Sequence, residues 1–155
     1  MSSINKANDL KRVFANWHDG NSLNRLINKA EEAYQDGSSY LLVIEDTEEG
    51  VLGAYFMHEL TKTSMSKKVG SAENFVFSLK EEFVWYKGRS LQATYFEFDG
   101  HDMYIGPGKT GCALLIDSDL KECHTAKSDV FNNEILTPSG RRDFEIKYIE
   151  LFVFV

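Results

Sequence analysis

The chain has 155 residues, 43% of them hydrophobic and 26% charged, with a net charge of −7; that length suits one domain with a sizeable core and no need of staples. The acidic balance lacks the basic patch that phosphate recognition requires, so no nucleic-acid partner is expected. Two cysteines exclude a disulfide framework, two prolines exclude a Pro-rich linker, and no apolar run reaches the ~20 residues of a membrane span.

Met1-Ser2-Ser3-Ile4-Asn5-Lys6 lacks the apolar stretch of a secretory leader, so a reduced, cytoplasmic protein is expected. From Asn8 to Asn16, Leu10, Val13 and Phe14 stand at helical spacing. The segment reads as a short helix or an arm, and residues 1–18 are set apart from a domain over 19–155. Ser22 is a good N-cap. Leu23, Leu26, Ile27, Ala30 and Tyr34 then form one apolar stripe of an amphipathic helix, which ends at Asp36-Gly37, where glycine accepts left-handed geometry. Tyr40 to Ile44 and Val51 to Met57 flank Glu48-Glu49-Gly50 and read as a hairpin. The polar stretch His58 to Asn74 reads as a long loop. Strands are expected at Phe75–Leu79, Glu82–Tyr86, Thr94–Phe98, Met103–Ile105 and Cys112–Ile116, with Asp99-Gly100 as a hairpin turn. Asp117 to Pro138 reads as mostly irregular. Phe144 to Val155 is a long last strand, apolar on both faces near its end, expected at the centre of a sheet and covered on both sides. Eleven Phe, seven Tyr and two Trp suit strands; Trp17 and Trp85 are expected as core or half-core anchors. The fold class that follows is mainly β or α+β, a two-sheet antiparallel β-sandwich with flanking short helices.

Motif by motif, no active site emerges. Gly108-Lys109-Thr110 resembles the tail of a phosphate loop, but Met103 stands where that loop needs glycine, and a strand follows instead of a helix. Asp117-Ser118-Asp119 begins like a calcium loop, yet Lys121, Glu122 and Ser128 stand where that loop needs an oxygen ligand, a glycine and a glutamate. Cys123-His124 is half of a zinc site without a second close pair. Glu145 and Glu150 lie on opposite faces of a regular strand, which argues against paired carboxylates. No metal or other cofactor is expected.

Ordered segments carry a resemblance beyond these motifs. Asp19-Gly20-Asn21-Ser22-Leu23 is similar to an H/D-G-x-S-L helix opening, and Gly37 through Tyr55 to a G-P-x-L-L-x-I-x-D-T hairpin. Phe75-Val76-Phe77-Ser78-Leu79 matches F-x-F-S-L. Ala113 to Leu120 resembles G-L-x-I-D-x-D-L, Phe131 to Leu136 resembles T-F-x-N-x-x-L, and Asp143 to Phe152 resembles D-F-x-I-x-x-x-E-x-W. Together they resemble the TLDc domain of oxidation-resistance proteins and some nuclear-receptor coactivators. Asp129 stands where that family has cysteine, and Phe152 where it has tryptophan.

The resemblance implies a two-sheet sandwich, protection against oxidative damage, and binding and regulation of the vacuolar proton-pumping ATPase. The expected function is therefore a non-catalytic protein-binding module, with ATPase subunits as partners, recruited to organelle membranes through them. The candidate contacts are Gly106, Gly108 and Lys109 of the glycine loop, Asp117 and Asp119 of the segment Asp117 to Ser128, and Glu150, with the loop His58 to Asn74 beside them. The alternatives are a thiol antioxidant or other enzyme using Cys123 helped by His124, and a small-ligand-binding sandwich.

Overall fold

Period-two burial, with apolar side chains turned inward at alternate positions, divides the strands between two antiparallel sheets. The computed structural model describes residues 10–57, 59–60, 73–79, 81–89 and 94–154. Its elements are β1 (Leu10–Ala15), α1 (Asn16–Asp19), α2 (Leu23–Ala33), β2 (Ser39–Asp46), β3 (Val51–Phe56), β4 (Phe75–Leu79), β5 (Phe83–Lys87), β6 (Phe96–Phe98), β7 (Met103–Pro107), β8 (Cys112–Ile116), β9 (Glu122–Thr125) and β10 (Asp143–Phe154). The strand order is β5-β4-β3-β2-β10-β9-β8-β7-β6, with β1 also paired to β10. The long strand β10 serves both sheets: Asp143 to Glu145 pair with β9, and Ile146 to Phe154 pair with β2. The sandwich expected from the sequence is the fold observed.

The sheets close on a core of fully buried side chains, including Leu42, Ile44, Leu52, Phe96, Ile105, Leu114 and Leu151. Phe56 of β3 meets Phe96 of β6 edge-to-face, with ring centroids 5.8 Å apart, so one aromatic pair spans the two sheets. Helix α2 lays Leu23, Leu26, Ile27 and Ala30 on this core. Ser22 caps it: its Oγ accepts the Arg25 amide at 3.2 Å, an interaction worth ~1 kcal/mol. The Leu23 amide donates to the Ser118 carbonyl at 2.9 Å, and the Tyr40 hydroxyl donates to the Ala30 carbonyl at 2.9 Å. The helix is thereby tied to both sheets. It ends earlier than the stripe suggested, at Ala33, and Gly37 takes its positive φ of 86° in the turn beyond.

Four expectations are corrected. Leu10–Ala15 is a strand, not a helix: pairing with β10, Leu10 opposite Phe154 and Phe14 opposite Leu151 with a register shift between, overrides the helical spacing. Only Asn16–Asp19 forms a helical turn. Strand β9 lies in the segment read as irregular; its inward positions are Cys123 and Thr125, and Thr125 is accommodated because its hydroxyl donates to the Ala113 carbonyl at 2.7 Å. Trp17 and Trp85, expected as core or half-core anchors, are 53% and 52% exposed, which removes the core alternative and leaves the half-core one. The last strand is paired on both edges, but Phe152 and Phe154 on its outer side are only half-buried. Of the long loop, residues 58 and 61–72 lie outside the described residues; at its ends Leu60 is buried and the Asn74 Oδ1 accepts the Met57 amide at 2.8 Å.

Candidate protein-docking face

In the sheet formed by β1, β10, β2, β3, β4 and β5, the inward set is continuous: Tyr40, Leu42 and Ile44 on β2, and Leu52, Ala54 and Phe56 on β3. The alternate positions of the same strands point outward, and apart from Glu45 they are uncharged: Leu41 and Val43 on β2, Val51, Gly53 and Tyr55 on β3. Tyr55 sits opposite Phe75 in the ladder, and their rings stack at 5.0 Å. Phase-matched neighbours continue the row: Phe75 meets Trp85 at 5.3 Å, and Phe77 meets Phe83 at 5.3 Å. Tyr55 reaches Phe154 at 6.1 Å. Leu79, Phe83 and Trp85 remain 44%, 52% and 52% exposed. With strands ~4.8 Å apart, six strands give a surface roughly 24 Å across.

At the β10 end the face forms a cleft of about 520 Å³ lined by Trp17, Val43, Glu45, Val51, Tyr148 and Glu150. Trp17 and Tyr148 meet edge-to-face at 5.3 Å. The chain's own cations already lie on these rings: the Arg12 guanidinium is 5.3 Å from Trp17, and the Lys147 ammonium 5.3 Å from Tyr148. Arg12 also pairs with Glu150 at 3.6 Å. A contiguous apolar patch rimmed by charge is what a protein-binding surface looks like, since a monomer gains nothing by exposing it.

Of the six site residues expected from sequence, only Glu150 belongs to this face. Gly106 lies within β7, Gly108 and Lys109 in the β7–β8 turn that follows, and Asp117 and Asp119 in the β8–β9 turn. These turns stand at opposite ends of β8, roughly 15 Å apart by strand rise. The glycines answer a steric need. Gly106 has φ 67° and lies under the Phe131 ring, where a Cβ would come within 2.5 Å of it, and a Cβ on Gly108 would overlap the Asp129 carboxylate. Asp129 organises the turn by accepting the Lys109 amide at 2.8 Å. Desolvation pushes its carboxyl up, but the amides of Asp129 itself, Thr110 and Lys109 outweigh that and hold it below the ordinary carboxylate value. Asp117 accepts the Lys121 amide at 2.8 Å and so shapes the β8–β9 turn, while Asp119 is exposed. Motif reading passed over Trp17, Tyr148, Phe83 and Trp85. The available signal was in β4 and β5, where aromatic and aliphatic side chains occupy both strand parities, so neither face reads as polar.

Glu145 and Glu150 lie on the same side of β10, contrary to the regular-strand expectation. The β10–β2 ladder shifts register between Ile146 and Tyr148, and the inward set changes from Phe144 and Ile146 to Ile149, Leu151 and Val153. The extra residue of a bulge inverts the parity of everything after it.

Cys123 has none of the properties of a nucleophile. It is 5% exposed, and burial foremost, then the Asp117 charge, pushes its thiol far up. His124 lies on the other side of β9, with Nδ1 2.8 Å from the Asp143 carboxylate, so it does not serve as base to its neighbour. Burial also pushes the Cys112 thiol up to about 11, which leaves on the order of one part in 10⁴ ionised at pH 7. In the folded protein at pH 7, maleimide is expected to leave Cys123 unmodified until denaturant is added, and Cys123→Ser to consume peroxide at the native rate. Rapid native-state labelling of Cys123 would contradict this.

Comparison with known proteins places the fold in a family. The sequence profile of the TLDc domain matches residues 1–155. Nuclear receptor coactivator 7 of Gallus gallus is 27% identical over 142 residues, covering 92% of this chain and 15% of that protein. Oxidation resistance protein 1 of Bos taurus is 32% identical over 114 residues, covering 74% of this chain and 13% of that protein. The GTPase-activating protein skywalker of Drosophila melanogaster is 29% identical over 131 residues, covering 74% of this chain and 22% of that protein. This chain thus spans a small part of the length of these relatives, from 13% to 22%. No described helix is long and apolar enough to cross a membrane. With the profile matched from end to end and the two-sheet sandwich in place, this chain belongs to the TLDc domain family.

Proposed function

We propose that the chain is a non-catalytic protein-binding module of the oxidative-stress-resistance type, and that a subunit of the vacuolar proton ATPase docks on the aromatic face of the β1–β5 sheet. The observation that carries this reading is the exposed row of Leu79, Phe83 and Trp85 on the paired strands β4 and β5, continued by the Trp17–Tyr148 pair. Rigid aromatic side chains bind at low entropic cost and dominate interface energetics. Family membership and the oxidation-resistance relatives support the same reading. The module works in the cytoplasm and reaches organelle membranes through its partner. Gly106 at the end of β7 with Gly108 and Lys109 of the following turn, and the turn with Asp117 and Asp119, supply secondary contacts around it.

Immobilised chain titrated with purified vacuolar ATPase tests this. Saturable binding is expected, and Phe83→Ser with Trp85→Ser should weaken it by at least about thirtyfold, because central aromatic anchors each contribute ~2 kcal/mol or more. Absence of binding by the native chain, or undiminished binding by the double variant, would overturn the proposal.

A further inference from the structure

A second site lies where β10 passes from one sheet to the other. The β2–β3 turn, the start of β9 and the start of β10 enclose a cleft of about 520 Å³, lined among others by Asp46, Glu48, Glu122, Asp143, Glu145 and Arg141. The turn is tied to β10 by the Thr47 amide, which donates to the Glu145 carbonyl at 3.1 Å. Five carboxylates face one guanidinium here. Arg141 pairs with Glu48 at 3.3 Å, and Asp143 engages His124 at 2.8 Å. Asp46, Glu122 and Glu145 form no ion pair among the described residues.

Two observations say that this acidity awaits a ligand. Asp46 is 1% exposed. Its Oδ1 accepts the Glu48 and Gly50 amides at 2.9 and 2.8 Å, but its Oδ2, also buried, has no hydrogen-bond partner among the described residues. An unpartnered buried carboxylate oxygen is costly and calls for a donor. In addition, Glu122 and Glu145 are directly opposite each other in the β9–β10 ladder. Like charges in a cross-strand pair destabilise the sheet, and nothing in the fold requires glutamate at either exposed position. A cation placed between them would turn that repulsion into attraction.

We propose that this cleft binds an arginine side chain presented by a basic segment of a partner protein. Cross-strand Cβ atoms lie ~5 Å apart, a span that the planar fork of a guanidinium bridges with hydrogen bonds to both carboxylates. A shared metal ion suits the site less well, because no three His, Cys, Asp or Glu side chains among the described residues are placed to ligate one. The cleft is chemically distinct from the aromatic face and adds a charged anchor, with its own specificity, to an apolar one.

The probe is a fluorescein-labelled peptide carrying two arginines spaced by glycine and serine, titrated by anisotropy against the full chain; its citrulline counterpart keeps the shape and removes the charge. The arginine peptide should bind, and the citrulline peptide about tenfold more weakly or worse. Glu122→Gln with Glu145→Gln should cost a similar factor. The charge-matched control, Glu81→Gln with Glu82→Gln on the β4–β5 turn, should change affinity by less than about twofold, as expected for screened surface charge. Glu145→Gln alone should show a smaller loss of the same kind. Phe83→Ser with Trp85→Ser should leave arginine-peptide binding intact, so failure at one site is told from failure at the other. Equal losses in the cleft variant and the control would identify mere attraction to an acidic protein and overturn the proposal, as would arginine and citrulline peptides of equal affinity.

Discussion

Gly53→Ala is expected to lower the melting temperature by about 10 °C, the equivalent of ~3 kcal/mol in a chain of this size. Gly53 is paired on both sides, with Val43 of β2 and Phe77 of β4. A Cβ at this position would overlap the Leu42 carbonyl oxygen and approach the Phe77 ring to 2.7 Å. Backbone is the harder obstacle, because the central ladder has no room to shift. The Phe77 ring lies over the glycine and is only 5% exposed although it belongs to the outer face; an aromatic shields a strand glycine in this way. Adding Phe77→Leu should recover part of the loss, and the remainder measures the backbone clash. Calorimetry of the single and double variants separates the two contributions. A shift under about 1 °C for Gly53→Ala would mean that β3 is not held as described. Because Phe77 touches Phe83 at 5.3 Å, partner binding should weaken along with stability.

Phe56→Ala should be the costliest single truncation in the core, at about 4 kcal/mol. Phe56 and Phe96 are 1% and 0% exposed, and their edge-to-face contact joins one sheet to the other. Removing one ring opens a void that two hydrogen-bonded sheets cannot collapse to fill. The whole domain is stabilised by only about 5–15 kcal/mol, so much of the margin would be lost. Urea denaturation of Phe56→Ala, Phe96→Ala and the double variant closes a cycle, in which a coupling near 1 kcal/mol is expected from the aromatic geometry. Additive losses would show that the rings fill space separately without recognising each other.

The two proposed docking sites differ in how far the chain alone reveals them. For the aromatic face, Phe75-Val76-Phe77 and Phe83-Val84-Trp85-Tyr86 carry apolar side chains at both parities, which is visible in one dimension. Whether Trp85 is a core or a half-core anchor stayed open, because nothing local says whether a second layer covers the sheet. The acid cleft was invisible. Asp46, Glu122 and Glu145 are far apart in the chain and meet only when β2, β9 and β10 assemble. Glu145 and Glu150 were assigned opposite faces on the premise of a regular strand, and the shift after Ile146 removed that premise.

What could be read directly from the chain was whatever depends on local periodicity or on a short turn: the capped helix from Leu23, the hairpin around Glu48-Glu49-Gly50, the strands β2, β3 and β4, and the sandwich class they imply. A 3.6- or 2-residue repeat reports backbone state and one buried side, because each residue's direction follows from its own strand or helix. Assembly settled the rest. Leu10–Ala15 became a strand because β10 offered it a partner, and β9 formed from polar residues because β8 and β10 flanked it. The free aromatic face, the buried Asp46 oxygen and the opposed glutamates all depend on which strands stand side by side, and pairing energy between distant segments, which no local pattern encodes, makes that choice.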